Sequence, residues 1–88
     1  MVIKTHRNFD KQFAKLSQKQ LKKAEASLIL FMKNPHAAKL RRHALNGEYS
    51  GHYFISAGGD LRLHFRYLSS DAVMVIFTAV DSHAQLYK

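Results

Sequence analysis

The residues of this chain with chemistry to offer are its histidines and arginines. Six histidines stand among 88 residues, a generous supply of groups that take or give a proton near neutrality. In Leu61-Arg62-Leu63-His64-Phe65-Arg66-Tyr67 apolar and polar residues alternate. A strand here sends Leu61, Leu63, Phe65 and Tyr67 to one face and Arg62, His64 and Arg66 to the other. His52 and Ser56, four apart on a preceding strand-like segment, share a face in the same way. Metal-free acid–base chemistry at a phosphate needs a base for the attacking hydroxyl, an acid for the leaving oxygen and positive donors for the charge gathering on phosphorus. Imidazole and carboxylate supply the proton transfers; guanidinium supplies charge and paired phosphate contacts. The plainer reading of Arg62, His64 and Arg66 is the solvated side of a half-buried sheet.

His43, Asp60 and His83 fall at the edges of regular elements, where a rigid frame commonly presents catalytic groups. His6 and His36 lie beside expected helix ends and carry no assigned function. No two histidines have the His-x-x-x-His spacing of a helical metal site, and nothing in the spacing of His52, His64 and His83 with Asp60 demands a metal. The absence of cysteine excludes disulfides, thiolate zinc, iron–sulfur clusters and a cysteine nucleophile together. No metal and no small-molecule cofactor is expected.

Charge narrows the partner. Fourteen Lys and Arg against six Asp and Glu leave +8. Residues 1–42 hold eleven of the cations and two acids, Asp10 and Glu25, for +9; residues 43–88 hold three cations and four acids, for −1. Such a balance favours polyanions. A cation-rich surface normally serves solubility, but Lys19, Lys22 and Lys23, with Lys39, Arg41 and Arg42 beyond them, have almost no acidic partners nearby. They suit phosphate docking, and the run 39–42 adjoins His43 and can lead substrate to it. No membrane is expected: the longest apolar runs, 28–32 and 72–77, fall far short of the roughly 20 residues a span requires. Residues 1–6 lack the hydrophobic stretch of a signal peptide. A cytoplasmic location follows as the expectation.

The elements that must hold these groups are legible from pattern. Eighty-eight residues is a length for one domain spanning 1–88, with one economical core. Residues 1–5 are β-prone. Phe9, Phe13 and Leu16 repeat at i, i+4 and i+7, predicting a helix that opens at Asn8 or Asp10. Ser17 and Gln20 have the spacing of a capping box, so a second helix starts there; it carries Leu21, Ala24, Leu28, Phe31 and Met32 and stops at Asn34-Pro35. Residues 36–50 read as a partly ordered connector with a turn at Asn46-Gly47. A strand over 52–56, a Gly58-Gly59 hairpin signal, the alternating strand 61–67 and an apolar strand over 72–80, expected to be central and buried on both faces, complete the order. The fold class is α+β in the order β-α-α-β-β-β, an antiparallel sheet packed against an N-terminal helical hairpin.

On this frame His43-Ala44-Leu45-Asn46-Gly47-Glu48-Tyr49-Ser50-Gly51, then Asp60 before the alternating strand, then Ser82-His83-Ala84-Gln85-Leu86-Tyr87, resemble the YafQ-like branch of the RelE/ParE toxin superfamily. The motifs span about half the chain and the element order all of it. The resemblance implies a RelE/ParE-like domain and a small toxin that cleaves mRNA in the ribosomal decoding site and is silenced by a cognate acidic antitoxin. It places His43, Asp60 and His83 at catalytic positions and Tyr87 where a functional aromatic, usually Phe, is found. The chain departs from the pattern at Ser56, where a second catalytic His is usual, at Leu61 for a Trp, and at Ala79 for a frequent Arg. Either neighbours such as His52, Arg62 and Arg66 have taken over the chemistry, or activity is lost. A ParE-like gyrase inhibitor and a non-enzymatic RNA-binding or ribosome-binding module remain as the other readings.

Overall fold

The computed structural model describes residues 1–45, 47, 51–71 and 73–82, with Ser82 described in its backbone only. The elements are β1 (Val2–Thr5), α1 (Arg7–Ala14), α2 (Gln18–Lys33), a 3-10 turn (Ala38–Leu40), β2 (His43–Ala44), β3 (His52–Ser56), β4 (Leu61–Tyr67) and β5 (Met74–Ser82). The strands form one sheet in the order β1-β5-β4-β3-β2.

Local chemistry sets the helix ends. His6 Nδ1 accepts the Asn8 N–H and caps α1, which therefore opens at Arg7, one residue before the earlier of the two expected starts. His6 thus has a structural task that its residue type did not advertise. Ser17 and Gln20 form the reciprocal capping box read from their spacing, and α2 stops at Lys33 before Asn34-Pro35. The connector 36–50 holds the 3-10 turn and β2. Asn46 lies outside the described residues, while Gly47 takes the positive φ of +70° that suits a glycine in a turn.

Two expectations about the sheet are corrected. β1 runs parallel to β5, pairing Val2 with Met74 through Thr5 with Phe77, so the sheet is mixed at that edge. Parallel neighbours need a long crossover between them, and here nearly the whole chain, helices included, intervenes. β5 is interior in the sheet but is not buried on both faces. Its Val75, Phe77 and Val80 are buried, whereas Met74, Ile76 and Ala79 are only half-buried, because both helices pack on the same side.

The core lies between that side and the helices. Phe31 of α2 is fully buried, with ring centroids 4.9 Å from Phe65 and 5.4 Å from Phe77 in edge-on contact; Phe9 of α1 reaches Phe77 at 5.6 Å. Each such ring removed from water contributes roughly 1.5–3 kcal/mol. Among the described residues, no helix is long and apolar enough to cross a membrane.

A β-bulge decides which side chains of β5 face outward. His64 pairs with Ala79 and Phe65 with Phe77, which leaves Thr78 as an extra residue. Val75 and Phe77 point into the core, and strict alternation would put Ala79 and Asp81 there as well. The extra residue reverses the parity, so Val80 enters the core and Ala79 and Asp81 emerge beside His64.

Candidate active site on the outer face of the sheet

Residues directly opposite in a ladder share a face, so the register maps the side turned away from the helices. One row holds Ser56, Arg62 and Asp81; the next His43, Phe54, His64 and Ala79; the third His52, Arg66, Ile76 and Lys4. The face expected from the alternation in 61–67 is present; His52 and Ser56 share one side as their spacing required, and the register makes it the side of Arg62, His64 and Arg66.

His64 Nε2 lies 2.7 Å from Asp81 Oδ2, with the two side chains 18% and 23% exposed. The pair is shielded yet reachable. An ionised carboxylate can only accept, so Nε2 carries the hydrogen, and in the neutral ring Nδ1 keeps the lone pair. His43 is fixed in the opposite sense: its Nδ1 lies 3.2 Å from the Arg42 carbonyl oxygen, which also only accepts, and this leaves Nε2 as the free nitrogen. Between them stands Phe54, whose ring centroid is 5.2 Å from that of His43 and 5.8 Å from that of His64. The Arg62 guanidinium sits 4.7 Å over the same ring. Two imidazoles with defined tautomers and a cation therefore surround one aromatic platform, and Arg66 stands exposed in the adjoining row.

Other expected residues are placed elsewhere. Asp60 is exposed on the turn between β3 and β4, and among the described residues no hydrogen bond or ion pair joins it to the face. The Ser56 hydroxyl accepts the Gly58 N–H at 3.4 Å and so serves the turn. Lys19, Lys22 and Lys23 are exposed on α2, on the helical side of the sheet, and Lys39 and Arg41 are exposed around the 3-10 turn. Arg42 belongs to the inner side: its guanidinium lies 4.9 Å from the Tyr53 ring centroid, 5.2 Å from Tyr67 and 5.8 Å from Phe65. Its guanidinium faces aromatic rings in a cation–π arrangement. His83 and Tyr87 lie outside the described residues. Among those that are described, no three His or carboxylate side chains converge as a metal site would need.

Asp81 and Phe54 escaped the sequence reading. Phe54 shares period-two parity with His52 and Ser56, a signal that was available. Asp81 is the first acid after a long apolar run, but its face depends on a bulge that alternation alone does not reveal.

No family model matches the sequence, and no curated protein matches it. Solved structures do, and the likeness is one of fold: the chain folds as YafQ, a YoeB/ParE toxin and RelE do. YafQ in the E. coli DinJ-YafQ toxin-antitoxin complex superposes with a TM-score of 0.72 over 98% of this chain and 96% of that one, at 23% identity. The YoeB/ParE toxin from Agrobacterium tumefaciens gives 0.77 over 94% and 99% at 13% identity. A chain of the archaeal RelE-RelB complex from Pyrococcus horikoshii gives 0.74 over 96% of each at 15% identity.

Proposed function

We propose that this chain is the toxin of a toxin–antitoxin pair, a metal-independent endoribonuclease that cuts mRNA on the ribosome and stops translation in the cytoplasm. The observation that carries the reading is the His64–Asp81 pair, set among arginines on the outer face of a RelE/ParE-type sheet. His64 Nδ1 takes the proton of a ribose 2′-OH, and the 2′ oxygen attacks the adjacent phosphorus. Asp81 orients the imidazole and balances its charge once protonated. Arg62 and Arg66 meet the non-bridging oxygens, where negative charge gathers. Protonated His43 gives its Nε2 proton to the departing 5′ oxygen, leaving a 2′,3′-cyclic phosphate and a 5′-hydroxyl. Phe54 offers a base a stacking surface. His52 flanks Arg66 in the ladder and supports the same phosphate contacts. The resemblance adds Asp60 and His83 to proton transfer and Tyr87 as a second aromatic.

Lys19, Lys22 and Lys23 on the helical side, with Lys39 and Arg41, dock on ribosomal RNA. That division leaves the outer face for mRNA. The cognate antitoxin is an acidic segment that covers the outer face and neutralises Arg62 and Arg66; solved relatives of this fold occur in complexes named toxin-antitoxin and RelE-RelB.

A second reading, a ribosome-binding module without catalysis, draws on two positions: the Ser56 hydroxyl is engaged by Gly58, and Ala79 beside His64 offers no charge. Induced expression followed by mapping of mRNA 5′ ends decides. The enzyme reading expects cuts inside codons in translating cells and poor cutting of naked RNA. Ribosome binding without cuts selects the second reading. Arrest with intact mRNA and accumulated DNA breaks selects gyrase inhibition.

A further inference from the structure

We infer that Gln12, a helix residue outside the outer face, is a positioning residue: its side-chain carbonyl fixes the bulged segment of β5 so that Asp81 meets His64. This inference rests on the catalytic role proposed for that pair.

Gln12 lies on α1 one turn after Phe9, which anchors the helix against Phe77. Its Oε1 accepts the Val80 N–H at 2.7 Å, across 68 residues of sequence. Val80 stands where β5 is least supported by its neighbours. It is three residues past Phe77, the last residue with a partner in β1, and two past the extra residue Thr78. β1 has already turned into α1 at this point, so a side chain from that helix provides an acceptor where the strand has left. The next residue is Asp81.

A strand carrying an irregularity has two competing parities one residue apart. With the Val80 amide held from α1, Val80 stays in the core and Asp81 stays outside. Asp81 depends on this support, because its Oδ1 is buried and has no hydrogen-bond partner among the described residues. Only the Oδ2 contact to His64 and the backbone itself hold the carboxylate there. Gln12 and Asp81 also line one cavity of about 300 Å³ with Lys15 and Gln20.

NMR of the full chain tests this directly. In the unaltered protein a through-hydrogen-bond coupling should connect the Val80 amide nitrogen with the Gln12 side-chain carbonyl carbon, and the ¹⁵N shifts of His64 should report the Nε2–H tautomer. Gln12→Leu keeps the volume and removes the acceptor. It should speed Val80 amide exchange by about tenfold or more, introduce the other His64 tautomer and lower single-turnover RNA cleavage by about tenfold to a hundredfold, with ribosome affinity unchanged. Gln12→Glu keeps an acceptor of the same reach and should retain the slow exchange and the tautomer. If the coupling is missing, or Gln12→Leu leaves both exchange and tautomer as they were, the inference is overturned. Should Gln12→Leu not fold, the coupling in the unaltered chain and the behaviour of Gln12→Glu decide alone. If the tautomer follows Gln12 in a protein that cuts no RNA, the positioning stands and the proposed enzyme does not.

Discussion

Asp81 reaches His64 with a 2.7 Å contact although the ladder sets His64 opposite Ala79 and Asp81 opposite Arg62. The carboxylate therefore reaches diagonally out of its own row to the imidazole it orients, while the Arg62 guanidinium of that row lies over Phe54. Removing its charge tests the assignment. Asp81→Asn presents an amide that can donate to Nε2 and stabilise the wrong tautomer, and His64→Ala removes the base. Each should lower codon-internal cleavage by about 10²–10⁴-fold while ribosome binding persists. Equal cleavage by the unaltered chain and both variants in a reconstituted translation assay would remove the pair from the mechanism.

The carboxylate on the turn and the one on the strand can be compared in a single experiment. Asp60→Ala, His83→Ala and His52→Ala should each lower cleavage, by about 100-fold or more where the group transfers a proton. Asp81→Ala should cost more than Asp60→Ala, since Asp60 is exposed and holds no partner on the face. The reverse order would move the acid–base role to the turn.

Docking and chemistry should separate by side of the sheet. Replacing Lys19, Lys22 and Lys23 together should weaken ribosome binding and flatten its salt dependence, because fewer counterions are released. Cleavage at saturating protein should survive. Sedimentation with ribosomes across a salt series reads the slope.

Arg42 should behave as a packing residue. Stacked among Tyr53, Tyr67 and Phe65, it should cost about 1–2 kcal/mol of stability when replaced by alanine, from lost cation–π contact and lost cover of the core edge. The salt slope of ribosome binding should not move. Denaturant unfolding and the same sedimentation series check both halves.

Asp71 supplies a pH signature. The Ser69 hydroxyl first, and the Val73 N–H second, hold its carboxyl below the ordinary carboxylate range. A folded value below the unfolded one gives a contribution present above the unfolded value, about 3.8, and lost as pH falls through the folded one. Asp71→Ala should melt slightly earlier at neutral pH, with the gap closing in acid; thermal melts from neutral to acid pH measure it.

What the sequence disclosed and what it concealed differ by range of interaction. Ser17 and Gln20 announced α2 because a capping box is complete within four residues, and 61–67 announced a two-faced strand because alternation is local. The place of Arg42 was hidden because nothing in the run 39–42 says that the chain turns one arginine inward over Tyr53. Asp81 was missed because its partner is set by tertiary register. The parallel pairing of β1 was hidden for the same reason: it joins the two ends of the described chain. His43 and His64 were visible as residue types, but Phe54 between them, and Gln12 behind Asp81, are visible only in the assembled sheet.

Thr78 makes β5 one residue longer than its ladder with β4 requires. Loss of Thr78 would join Phe77 directly to Ala79, so that Val80 stays in the core and Asp81 stays outside in regular alternation. The bulge is therefore a reserve of one residue, a place where the strand can shorten without turning any side chain over. The regularly alternating stretch Leu61-Arg62-Leu63-His64 of β4 has no such reserve: a residue lost there exchanges the faces of its neighbours and carries Arg62 or His64 toward the core.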